Sequence, residues 1–219
     1  VRRKKSTVIA ALGLTTRDSA GFRHALDSTS TKGRAMSEIT VLLERARSGD
    51  DGAWDEVVGL LYADLKRLAR GAMTAAGPNT LSPTGLVHEC YERLARAGAG
   101  GVTNRSHFFA LAAQAMRQLL INHARDRVAA KRGGGAQHTT LGHVDLAADR
   151  EAEDLLAIDD ALRELAQSDE RLVRIVECRV FAGLNDAETA EALNLSLRTA
   201  QRLWQSARDR LKIVLGEPE

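Results

Sequence analysis

Between residues 107 and 130 the chain reads HFFALAAQAMRQLLINHARDRVAA, flanked by a glycine-rich polar loop (Gly98 to Ser106) and by Gly133-Gly134-Gly135. Apolar residues sustained at helical spacing over so long a run, with loop signals at both ends, require a long α-helix. Strand signals elsewhere are poor. Aromatic residues make up only 4% of the chain and β-branched residues rarely alternate, whereas Ala, Leu, Arg and Glu dominate. At 219 residues there is length for one large or two small domains, each able to bury a core. The expected fold is all-α.

The helices fall into two groups. Residues 38 to 48 carry Ile39, Leu42, Leu43 and Ala46 on one face and end at Ser48-Gly49. Asp50 or Asp51 caps the next helix, about 52 to 73, with Trp54, Val57, Val58, Leu61, Leu65 and Leu68 on one stripe. Gly77-Pro78-Asn79 then leads to a helix in TLSPTGLVHECYERLARA, residues 80 to 97. A second helical unit occupies about 154 to 215. The organisation expected is a disordered basic extension over 1–35, a helical domain over 36–132, a flexible acidic linker over 133–153 and a second small helical domain over 154–215. Residues 1–35 are Arg- and Ser-rich and acid-poor, as transit peptides also are, but an extension fits better, and Met36 is a candidate start because order begins just after it.

Charge is unevenly placed behind a formal net of +2. Residues 1–35 carry +6, 117–132 carry +4, 144–170 carry −8 and 196–212 carry +4. Two basic patches with an acidic stretch between them fit two contacts with one polyanion, or else ordinary solvated helix faces. Cys90 and Cys178 each lie within a helical pattern, which reads as two core thiols in a reducing cytoplasm. No apolar run approaches the roughly 18 residues of a membrane span. His88, His107, His123, His138 and His143 form no metal-ligand spacing, and no phosphate loop or catalytic arrangement is recognisable. Neither a metal, a cofactor nor an enzyme activity is expected.

The most specific signal is DAETAEALNLSLRTAQRLWQ, residues 186 to 205. A helix-turn-helix needs a small residue where its helices cross, and Ala190 supplies it. Leu193, Leu195, Ala200 and Leu203 fill the shared apolar positions, and Asn194 sits where the turn needs a left-handed backbone. Thr189 and Leu197 depart mildly from the pattern. In such a motif the second helix enters the major groove, which directs Arg198, Thr199, Gln201, Arg202 and Gln205 outward, with Arg208 and Arg210 suited to phosphates.

The helix after Gly77-Pro78-Asn79 opens oddly. Ser82 is a good cap and Pro83 suits the first helical position, yet Gly85 stands where a capping box places Glu. The first turn, which favours negative charge, has none before Glu89.

With these residues in hand, the chain resembles the extracytoplasmic-function class of bacterial sigma factors over about residues 38–215. GLNDAETAEALNLSLRTAQRLWQSARDRL looks like that family's −35-binding domain, and LVHECYERLARA with HFFALAAQAMRQLLINHARDRVAAKR looks like the domain that binds the polymerase clamp and opens the −10 element. The resemblance implies a promoter-specificity subunit acting in the cytoplasm. Its partners would be core RNA polymerase, through clamp helices and flap, and promoter DNA, with a Ser/Thr protein kinase and an anti-sigma factor as further candidates.

By the same resemblance Arg198, Thr199, Gln201, Arg202, Gln205 and Arg208 would serve the −35 element. Asn104, Arg105, Arg117, Gln118, Asn122 and Arg125 would serve the −10 element, and Leu86, Val87, Glu89 and Glu92 the polymerase. Phe108 and Phe109 read as core residues first and as base-stacking residues second. Family members typically carry acids just before the Leu-Val of the clamp helix, and Ser82, Thr84 and Gly85 replace them here. Phosphorylation of Thr84, or secondarily Ser82, would restore the charge. The alternative is a helix-turn-helix regulator independent of polymerase.

Overall fold

The computed structural model describes residues 32–76, 81–97, 101–133 and 142–215. Residues 1–31, and with them most of the expected basic extension, lie outside this set, as does His138. Among the described residues there are eight α-helices, one π-helical turn and no strand.

Helix α1 (Lys32–Arg47) starts ahead of the expected 38 and ends at Gly49, whose φ of 93° only glycine adopts without strain. The Gly49 N–H donates to the Ala46 carbonyl and the Asp50 N–H to the Arg45 carbonyl, which closes the last turn. Asp50, not Asp51, then caps α2 (Asp51–Ala76), its Oδ1 accepting from the Ala53 N–H at 3.2 Å. Arg45 holds the other oxygen at 2.6 Å, and this hydrogen bond keeps the Asp50 carboxyl below its usual range.

Helix α3 (Pro83–Ala97) and α4 (Arg105–Gly133) complete the first unit. Leu43, Leu61, Leu86, Met116 and Leu120 are almost fully buried where the four helices meet. Phe108 is wholly buried and meets Trp54 edge-on at 5.8 Å, while Phe109 is 3% exposed, so both phenylalanines are core residues. Cys90 and Cys178 are buried free thiols, each pushed up to about 12 by burial.

The second unit is α5 (Gly142–Ser168), α6 (Glu170–Val176), a π-helical turn (Glu177–Phe181), α7 (Asp186–Ala192) and α8 (Leu197–Leu215). Of the expected linker, residues 134–141 lie outside the described residues, and residues 142–153 are the opening turns of α5. Ala152, Leu155, Ile158, Leu162 and Leu165 form one buried stripe that runs from the acidic stretch into the helix behind it. The acids had masked that periodicity. Helix α4 joins the two units, packing against α2 and α3 on one side and against α5, α7 and the π turn on the other.

Candidate nucleic-acid interface

The helix-turn-helix is built as its sequence required. Asn185 caps α7 in a full capping box, accepting from the Glu188 N–H while the Glu188 carboxylate accepts from the Asn185 N–H. Asn194 takes φ 52° in the turn, and the Leu195 N–H donates back to the Ala190 carbonyl at 2.8 Å. Ala190, where α7 and α8 cross, is buried together with Ala200 and Leu203. Thr189 is buried as well, and its hydroxyl has no hydrogen-bond partner among the described residues.

Helix α8 buries Ala200, Leu203, Ala207, Leu211 and Leu215, so the opposite face is left to solvent. Arg198, Gln201, Arg202 and Gln205 are exposed there. Gln201 donates to Asp186 at 3.1 Å and Gln205 to Asp209 at 2.9 Å, contacts that fix both amides in the free chain. Thr199 is engaged differently. Its N–H donates to Ser196 Oγ at 3.2 Å and the two hydroxyls meet at 2.8 Å, so Ser196 caps the helix and Thr199 supports the cap. Arg208 is half-buried and lies 5.9 Å from the Trp204 ring, with Arg179 5.6 Å from the same ring.

The expected −10 residues divide. Asn104 caps α4 through its Oδ1, which accepts from the His107 N–H at 2.8 Å. Arg105 is bound to Asp64 at 2.7 Å and stacks 4.7 Å from the Phe109 ring, and burial lowers its pKa. Both side chains are engaged at the start of α4. Gln118 and Asn122 lie one turn apart and are joined at 3.1 Å, while Arg125 follows on the same face. Arg117, the fourth expected residue, is nearly enclosed, its guanidinium lying between Asp159 at 3.0 Å and Glu177 at 2.7 Å.

The family model for ECF sigma factors matches residues 36–216. The chain belongs to the ECF sigma factor family. It is therefore a sigma factor directing transcription initiation, in a family whose members bind core RNA polymerase and promoter DNA. No curated protein and no solved structure matches the chain. Among the described residues no helix is long and apolar enough to cross a membrane.

In this sigma factor the start of α3 is as unusual as its sequence. Its first turn holds no acid. Ser82 Oγ accepts from the Gly85 N–H at 3.0 Å, and the Leu86 N–H donates to the Ser82 carbonyl. A Cβ at Gly85 would come within 3.1 Å of Leu81 Cδ1, the far end of a half-buried side chain that must give by a few tenths of an ångström to admit it. Leu86 and Val87, expected to serve the polymerase, lie inward. They are 0% and 2% exposed and face the core, because the apolar stripe of α3 is what packs the helix onto its neighbours. Glu89 and Glu92 remain at the surface, Glu89 facing His123 at 3.1 Å and Glu92 facing Arg96 at 3.3 Å.

Two charged residues of this sigma factor, Asp159 and Glu177, were missed in the sequence. Each is a buried acid inside an apolar stripe, beside Ile158 and Leu162 in one case and between Val176 and Cys178 in the other. An acid at a core position was the available signal, since such a group needs a partner.

Proposed function

We propose that this sigma factor reads the −35 element with Arg198, Gln201 and Arg202, reads the −10 element with Arg117, Gln118, Asn122 and Arg125, and is licensed for core polymerase by phosphorylation of Thr84. Asn104 and Arg105 border the −10 surface, Thr199, Gln205 and Arg208 border the −35 surface, and Glu89 and Glu92 contribute to the clamp-facing side of α3. The polymerase contacts are its clamp helices and flap. The protein acts in the cytoplasm, on promoter DNA.

One observation carries the licensing step, the acid-free first turn of α3. Pro83 has no N–H, and Ser82 already serves the N–H groups of Gly85 and Leu86. Among the described residues this leaves the N–H of Thr84 itself as the donor of that turn. A phosphate on Thr84 would bring about −1.5 to −2 charge to a helix N-terminus, where dipole and amide both favour an anion. Ser82 is the weaker candidate because its hydroxyl is committed to the cap. A Ser/Thr protein kinase is therefore the proposed regulatory partner, in place of or beside an anti-sigma factor.

Two measurements test the reading. In multi-round transcription with core polymerase on a promoter library, initiation must depend on this chain. Binding to DNA without initiation would make it a polymerase-independent regulator. Core affinity of the wild type, Thr84→Ala, Thr84→Glu and kinase-treated wild type tests the licensing. If unmodified wild type and Thr84→Ala bind as tightly as the phosphorylated form, phosphorylation does not control assembly.

A further inference from the structure

Gln201, one of the three side chains assigned above to the −35 element, is held from outside its own helix. Its Nε2 donates to Asp186 Oδ2 at 3.1 Å, and Asp186 is the first residue of α7, 15 positions earlier in the chain. The other carboxylate oxygen, Asp186 Oδ1, takes Arg179 Nη1 at 3.0 Å. Arg179 is itself fixed. The same Nη1 donates to the Leu184 carbonyl at 2.8 Å, and the guanidinium lies 5.6 Å from the Trp204 ring on α8. Arg179, Asp186 and Gln201 thus form a chain of contacts that runs from the π turn through the start of α7 to the outer face of α8. Gln205 is held differently, by Asp209 four residues on in the same helix at 2.9 Å.

A carboxylate only accepts hydrogen bonds. Asp186 therefore dictates how the Gln201 amide stands: the NH2 group turns to the carboxylate and Oε1 turns away from it. A flipped amide would set Oε1 against Oδ2, two acceptors with no hydrogen between them. Arg179 neutralises the carboxylate on its other side, so the acid sits at a DNA-reading surface as a fixed acceptor rather than as a free negative charge facing phosphates. What remains for a base is Oε1 as acceptor and the second Nε2 hydrogen as donor. Adenine offers the complement in the major groove, its N6 amine as donor and its N7 as acceptor. Guanine presents N7 and O6, both acceptors, and thymine presents O4. Neither supplies a donor for Oε1.

We propose that Asp186 is a positioning residue for promoter specificity. Anchored by Arg179, it fixes the Gln201 amide so that this side chain selects adenine at one −35 position and rejects guanine and thymine. The inference rests on the reading of Gln201 as a −35 contact. Asp186 acts through Gln201 and needs no contact with DNA of its own.

The test is multi-round transcription by reconstituted holoenzyme on a promoter library randomised across the −35 region, with the transcribed templates sequenced. The wild type is expected to prefer adenine over guanine and thymine at one position by about tenfold or more. Asp186→Asn keeps the shape, but its amide both donates and accepts, so either orientation of Gln201 is satisfied. In this variant the preference is expected to fall to about threefold or less at that position, with every other position within about twofold of the wild type. Gln201→Ala is expected to lose the same preference, and the double variant to lose no more than Gln201→Ala alone. Asp209→Asn removes an equal charge from an exposed residue of α8 and is expected to leave the adenine preference in place.

The other positions in each selection report on folding, since an acid that merely held α7 against α8 would move all preferences together. An unchanged adenine preference in Asp186→Asn, where Gln201→Ala abolishes it, overturns the proposal and leaves Gln201 as a reader. Equal relaxation at every position, the same relaxation in Asp209→Asn, or a Gln201-dependent preference for a base other than adenine also overturns it. If Gln201→Ala leaves every preference in place, the reading of Gln201 fails and the proposal falls with it.

Discussion

Arg117 on α4 and Glu177 in the π-helical turn, 60 positions apart in the chain, meet at 2.7 Å with their side chains 11% and 3% exposed. A buried pair of this kind is a weak source of net stability but a costly one to break, because removing one partner strands the other charge away from water. Arg117 keeps Asp159 at 3.0 Å when Glu177 is removed, so Glu177→Ala is expected to lower unfolding free energy by about 1–3 kcal/mol in urea titrations. Glu170→Ala, which removes an exposed pair with Arg174 at 3.5 Å, should cost less than about 1 kcal/mol. Equal costs would mean that the buried pair is open to water in solution.

Ser82→Ala removes the hydroxyl that accepts from Gly85 and should destabilise the first unit by about 0.5–2 kcal/mol. Ser82→Asp, which keeps a capping acceptor and adds charge at the N-terminus, should recover that loss. Thermal unfolding of the three proteins decides it.

Asn194 holds φ 52° in the turn between α7 and α8. Asn194→Ala should cost about 1–2 kcal/mol, since a Cβ without a compensating polar group disfavours the left-handed region. Asn194→Gly should be close to neutral. The same order is expected in promoter binding, because the turn sets the angle of α8.

His107 Nδ1 faces the Thr103 N–H at 3.3 Å and its hydroxyl at 3.1 Å, and burial lowers its pKa below the ordinary 6.5. The unfolded chain therefore binds this proton more readily than the folded one. The associated stability is present above about pH 6.5 and is lost as pH falls through the lowered folded value. The difference in unfolding free energy between wild type and His107→Asn should shift against the wild type between pH 7.5 and 5. A constant difference would show that the ring titrates alike in both states.

Arg202 is exposed on the outer face of α8. Arg202→Ala should cost about 1–3 kcal/mol of promoter affinity and relax preference at a single −35 position, if the side chain makes a bidentate base contact. Selection of binding sites from a random duplex library reads both effects. A uniform loss over all sequences would assign Arg202 to a phosphate instead.

Where a feature depends on neighbours a few residues apart, it was legible without the structure. The helical period, the Ser48-Gly49 stop, the Ser82 cap, the Asn194 turn and the Ala190 crossing are all local, because a backbone conformation constrains the residues that can adopt it. The outward face of α8 followed from the same period. What escaped was non-local. Residues 142–153 read as a linker because acids dominate their composition, yet the helix is stabilised by a stripe that is completed against α4, α6 and α8. Leu86 and Val87 are buried against neighbouring helices, which the sequence does not reveal, since it marks an apolar face without saying what covers it. Arg117 and Arg125 were identifiable as a basic face of a helix. Only the tertiary structure showed Asp159 and Glu177 facing them, because an ion pair across 42 or 60 positions leaves no period in the chain and is set by how the two units pack.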